Sequence, residues 1–174
     1  YSHNLDSQRL RTPSAIQRNR SGTCIDLALL FAACLELIDV YPVIFLLKGH
    51  ALPGYWRHKD FQDNYASLKR ESSAPTPLAG EQGRNSSSSA QHTPWQAQGK
   101  AAYLEVLHLI RDRQLVPVET VRLTEHCGFV EAIESGVAAM NEADDFHSVL
   151  DIITARTRQV TPLPIVAEPN GDAA

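Results

Sequence analysis

A chain of 174 residues with 43% apolar content can bury one real core, and at roughly 100–200 residues per domain two full domains are not expected. Its formal charge of −4, spread along the sequence, offers no basic stripe to follow a phosphate backbone, which excludes nucleic acid as the default partner. No apolar stretch of about 18 residues runs free of charge, and the first residues lack the basic-then-apolar profile of a secretory signal, so no membrane partner is expected.

Three cysteines, Cys24, Cys34 and Cys127, form an odd number without CxxC spacing, which fits neither a disulfide framework nor a zinc site. Reduced thiols follow, and with them a reducing, cytoplasmic location. The chain begins at Tyr1 rather than methionine, as a piece cut from a larger protein would.

In chain order, Tyr1 to Arg20 is polar and basic. Thr12-Pro13-Ser14 starts a short helix through Ile16, since proline suits a first helical position, and the segment reads as a lead-in outside the core. From Thr23 to about Asp39 the apolar residues surround the helix axis and only Asp26 and Glu36 carry charge before its end, which predicts a helix buried on nearly all sides. Tyr41-Pro42 ends it. Val43 to Leu47 is a β-branched and aromatic run suited to the middle of a sheet, and His50 to Trp56 continues as a second extended segment after a bend at Gly49, where a glycine permits close backbone approach.

From about Glu71 to Gly99 the composition collapses into Ser, Pro, Gly, Gln and Ala, too poor in hydrophobics to offset ordering entropy, and a disordered insertion is expected. Ala101 to Arg113 reads as an amphipathic helix with Leu104, Val106, Leu107 and Ile110 on its apolar face. Leu115 to Val121 alternates like a strand, with Pro117 pointing to an edge or a bulge. Phe129 to Met140 is again helical, Val149 to Thr154 reads as a last strand, and Thr161-Pro162-Leu163-Pro164 leads out. These elements predict one α+β domain over 1–174, with a central helix on an antiparallel sheet of about three to five strands and flanking helices over one face.

The chemistry concentrates at Cys24. A thiol at the first turn of a helix meets unpaired N–H groups and the positive end of the macrodipole, which can lower its pKa from about 8.5 to roughly 3.5–7.5. His50, twenty-six residues on at the start of the second extended segment, is the candidate base. A base also needs a group that fixes its tautomer and stabilises its charge. Glu119 qualifies, in a strand-like segment able to lie beside that of His50.

Gly22-Thr23-Cys24-Ile25-Asp26-Leu27-Ala28-Leu29-Leu30, then Lys48-Gly49-His50-Ala51, then Leu115-Val116-Pro117-Val118-Glu119-Thr120, resembles the transglutaminase-like cysteine-hydrolase superfamily. The likeness spans roughly Thr12 to Thr124 and is most specific from Arg20 through Trp56, and Asp151 to Pro164 is similar to tails of bacterial members. It implies a papain/transglutaminase-like core in which the central helix carries nucleophile Cys24, a following strand carries base His50, and Glu119 orients the base. The glutamate stands where aspartate is commoner, and the insertion falls between His50 and Glu119. The resemblance further implies hydrolysis of protein or peptide amides through a thioester, with no metal or organic cofactor and without the calcium dependence of animal relatives. Acyl transfer to an amine is the variant of the same chemistry. The rival from another class is an inactive module of the same fold that binds a peptide or a neighbouring domain of a longer chain.

The remaining reactive side chains read as structural. Cys34, among Ala33, Leu35 and Leu37, is expected in the core. It lies ten residues from Cys24, about 15 Å along the helix, too far for a disulfide switch. Cys127 lacks further ligands beside His126. Asp26 complements the helix dipole or pairs with an arginine, Trp56 packs in the core, and His3, His58, His92, His108, His126 and His147 lie at the surface.

Overall fold

The computed structural model describes residues 10–71, 93–141 and 145–161. Its centre is a hairpin. β1 (Tyr41–Leu47) turns through Lys48 and Gly49 into β2 (His50–Trp56), with Leu47 paired to His50 and Tyr41 to Trp56. Gly49 has φ +72°, a left-handed conformation that favours glycine, and a Cβ there would meet nothing within 4 Å. The expected bend is therefore present, but for the turn's dihedral and not for close approach.

The other elements are α1 (Pro13–Asn19), α2 (Cys24–Leu37), α3 (Lys59–Glu71), β3 (Gln96–Gln98), α4 (Gly99–Arg111), β4 (Leu115–Pro117), α5 (Thr120–Thr124), α6 (Phe129–Ala139), β5 (Phe146–Asp151) and α7 (Ile152–Thr157). The sheet runs β3-β5-β1-β2-β4 with every pairing antiparallel. This is an α+β arrangement, with β1 in the middle of the sheet and the Pro117 strand at its edge, both as the residues predict.

Alternation along β1 divides the core in two. Val43 and Phe45, with Leu52 and Trp56 of β2, pack against Tyr65 of α3 and Val106 and Ile110 of α4. Ile44, Leu46 and Ala51 pack against Cys24, Ala28 and Ala32 of α2. Helices therefore cover both faces of the sheet, not one, because β1 and β2 are apolar on both sides and each side needs a cover.

α2 does not match the expectation of burial all round. Its sheet-facing stripe is buried, but Leu37 is 84% exposed and Ile38, just past its end, 66%. Cys34 is exposed too, which corrects its assignment to the core. α2 lies on one sheet face with its Phe31 ring against Phe129 of α6, centroids 6.5 Å apart, and the side carrying Cys34 and Leu37 stays uncovered among the described residues. α1 departs in the opposite sense, since Ile16 of the supposed lead-in is buried.

Several boundaries shift. Lys59–Glu71, unassigned in the sequence reading, is a helix that buries Gln62, Tyr65 and Ala66. α4 turns Ala102, Tyr103, Val106 and Ile110 inward and leaves Leu104 exposed. The last strand comes earlier than Val149–Thr154, because Asp151 caps α7 by accepting from Thr154 N at 2.7 Å. Most of the insertion expected at about 71–99 lies outside the described residues, but Gln96–Gln98 form β3, paired with β5 from Leu150 to Ser148. His3, His92 and all but the first residue of the Thr161–Pro164 exit also lie outside them. Among the described residues no helix is long and apolar enough to cross a membrane.

Gly54 is the position where close approach matters. A Cβ there would stand 2.6 Å from both Phe45 Cε2 and the Val116 carbonyl oxygen, and a backbone oxygen cannot swing aside as a flexible side chain does. Gly54→Ala is expected to lower the unfolding free energy by about 1–3 kcal/mol, read in urea titrations.

Candidate active site

Cys24 is the first residue of α2, and its position is fixed by the helix start around it. Thr23 is the N-cap: its hydroxyl accepts from Asp26 N, while the Asp26 carboxylate accepts from Thr23 N at 2.9 Å, a reciprocal capping box. Asp26 is almost fully buried and also accepts from Arg11 N at 2.9 Å, with the Arg11 guanidinium 3.7 Å away. The expected roles of Asp26, dipole complement and arginine partner, are both present. The brace through Arg11 was not foreseen, because a polar lead-in gives no sign of where it docks beyond the isolated apolar Ile16.

His50 opens β2 at the hairpin turn. Its Nε2 lies 2.6 Å from Glu119 Oε2, while the Cys24 thiol hydrogen-bonds to the same side chain. With Nε2 committed to the carboxylate, Nδ1 is the ring nitrogen left for the sulfur. The hydrogen bond to Cys24, and after it that to Glu119, outweigh partial desolvation and raise the imidazole from its ordinary 6.5 to about 10. His50 is thus protonated across the neutral range. The thiol is largely covered, with Cys24 8% exposed, whereas the imidazole is 26% exposed, so the way in from solvent runs past the ring.

Glu119 is brought to His50 as the residues predict, but not on a strand. β4 ends at Pro117, and Glu119 is the N-cap of α5, its Oε1 accepting from Val121 N at 3.0 Å. The β-branched residues after it resemble a strand in sequence. Its side chain instead satisfies a first-turn N–H, where negative charge is favoured. Glu119 N in turn donates to Ala132 O of α6 at 2.9 Å. Both carboxylate oxygens and the backbone are therefore held, and one of those oxygens holds the imidazole.

The structure thus brings Cys24, His50 and Glu119 together from three separate elements. The other reactive residues stand apart. Cys127 is half-buried, and His58, His108, His126 and His147 are exposed. Trp56 is core: its ring is tilted 43° to that of Tyr65 with centroids 5.1 Å apart, and its Nε1 donates to Asp151 Oδ2 at 3.2 Å. Asp151 anchors a buried network that the sequence reading did not single out, accepting also from Gln62 Nε2 at 3.3 Å. Its signal was an aspartate followed three residues later by threonine at a strand end, the pattern of a helix cap. Among the described residues no group of three or more His, Cys, Asp or Glu side chains is placed to hold a metal ion.

No family model, curated protein or solved structure matches this chain. The geometry of the three side chains therefore carries the functional reading by itself.

Because the charged form of His50 is favoured by folding, the stability it contributes is complete below its ordinary 6.5 and is lost as pH climbs through about 10. Glu119→Gln removes one of the two groups that favour the imidazolium. The His50 titration followed by NMR is expected to move from about 10 toward neutral pH in this variant, and the alkaline loss of stability to begin correspondingly earlier.

Proposed function

We propose that this chain is a transglutaminase-like cysteine hydrolase that cleaves amide bonds of a protein or peptide substrate through Cys24, His50 and Glu119. The observation that carries the reading is the histidine held between a thiol at a helix start and a fixed carboxylate, with its pKa raised to about 10. An imidazolium next to a thiol favours the thiolate, the form that attacks carbonyls. The placement of the nucleophile's helix on an antiparallel sheet suits a papain/transglutaminase-like core, and unpaired thiols suit a cytoplasmic setting.

In the proposed reaction the Cys24 sulfur adds to the amide carbonyl. The negative charge that develops on oxygen is met by the Cys24 N–H in the first turn of α2, at the positive end of the helix dipole. His50 then passes its proton to the departing amine nitrogen as the C–N bond breaks, leaving a thioester. Water attacks that thioester while His50 accepts its proton, and the carboxylic acid product leaves with the thiolate restored. Glu119 keeps the ring oriented and stabilises its charged form. An amine in place of water would take the acyl group by the same steps.

The first test is alkylation by iodoacetamide, followed by mass spectrometry. Below about pH 7, Cys24 is expected to label faster than Cys34. Exposure favours the opposite order, since Cys34 is exposed and Cys24 buried, so fast labelling of Cys24 reports thiolate and not access. His50→Ala is expected to slow it by about a hundredfold. Ordinary thiol rates at Cys24, unchanged in the variant, would identify an inactive binding module. With a peptide substrate, acylation is expected to decline above about 10, where His50 loses the proton that the leaving amine requires.

A further inference from the structure

A concave feature lies away from the three site residues, at the other end of β2. It is an open groove of about 470 Å³ whose wall includes Tyr55 and Arg57. Tyr55 is five residues along the strand from His50, and Arg57 follows its end. At about 3.3 Å per residue this places the groove roughly 15–20 Å from the imidazole.

Its floor and sides are aliphatic. Leu115 and Val116 of β4 line it together with Val130, Ile133 and Val137 of α6. These α6 residues share one helix face, and Val130 is 70% exposed. Three arginines, Arg57, Arg111 and Arg113, also line the groove, and all three are exposed.

These arginines differ from Arg11, Arg122 and Arg156, each of which has a carboxylate partner. Among the described residues none of the three at the groove has one. Arg111 and Arg113 stand at the C-terminal end of α4, where cations complement the helix dipole. Arg57 does not, since it follows a strand. In a chain of net charge −4, three unpaired cations around one apolar groove favour a ligand that brings its own carboxylates.

We propose that this groove is a docking site for an acidic peptide segment, with apolar side chains seated between β4 and α6 and carboxylates facing Arg57, Arg111 and Arg113. A single-headed anion such as a fatty acid supplies one carboxylate for three guanidiniums, whereas a peptide supplies several at the spacing of its residues. The site stands independently of the catalytic reading, because no group that it uses belongs to the Cys24 cluster.

The test uses a fluorescein-labelled peptide of alternating glutamate and leucine, followed by anisotropy against the full chain, with a serine-leucine peptide and phosphatidylglycerol vesicles in parallel. The glutamate peptide is expected to bind in preference to the serine peptide. The combined Arg57→Ala, Arg111→Ala, Arg113→Ala variant is expected to weaken it by about tenfold and to flatten its salt dependence. Val130→Ser with Ile133→Ser weakens it while leaving the salt slope in place, and alkylation of Cys24 changes nothing. Equal binding of the two peptides, indifference to the arginine substitutions, loss of binding on Cys24 alkylation, or capture of vesicles but not peptide would each overturn the proposal.

Discussion

How closely α2 lies against the central hairpin governs the rest of the structure. The residues at the contact, Cys24, Ala28 and Ala32, recur every fourth position and are all small, so the helix sits flush on Ile44 and Ala51. A larger residue at Ala28 or Ala32 would lift the helix from the sheet. Cys24, at the end of that helix, would then lose its reach to His50 at the end of the hairpin turn. The core packing and the candidate chemistry therefore share one geometric condition, and the capping box with Arg11 fixes the remaining degree of freedom at the helix start.

The protein also handles two carboxylates in opposite ways. Glu119 meets the His50 imidazole and a helix N–H. Asp151 sits at the far end of β1 from the turn, paired with Val43, and faces only neutral donors: the Trp56 indole, the Gln62 amide and the Thr154 backbone. Burial there raises its pKa against those hydrogen bonds. One carboxylate holds the imidazole in place at the turn of the hairpin, and the other ties α3, β2, β5 and α7 together toward its opposite end. The sheet is thus stapled where no chemistry is proposed and left accessible where it is.

Reading the residues in order recovers what depends on local pattern. The apolar, β-branched run from Val43 and the bend at Gly49 mark the hairpin, and the structure forms it there, with β1 starting two residues earlier so that Pro42 lies inside the strand. The two principal site residues were legible because a cysteine at a capped helix start and a histidine at a strand start are local features. What failed depended on the third dimension. Leu37 and Cys34 look like core residues until one knows that only one sheet covers α2. Glu119 lies among β-branched residues that resemble a strand, and only its side chain's bond to Val121 N turns the chain into a helix there. α3 escaped notice because its mean polarity hides three inward residues, Gln62, Tyr65 and Ala66, and one of these is itself polar.

The separation of the cluster along the chain bears on when it comes into being. Cys24 and His50 are synthesised close together, within one helix and one hairpin, and the carboxylate arrives 69 residues after the histidine. It is held only once α5 and α6 have formed around it. A half-made chain therefore contains the thiol without one of the two hydrogen bonds that raise the pKa of the neighbouring imidazole. On the proposed reading, activation of Cys24 is complete only when α5 and α6 have formed around Glu119.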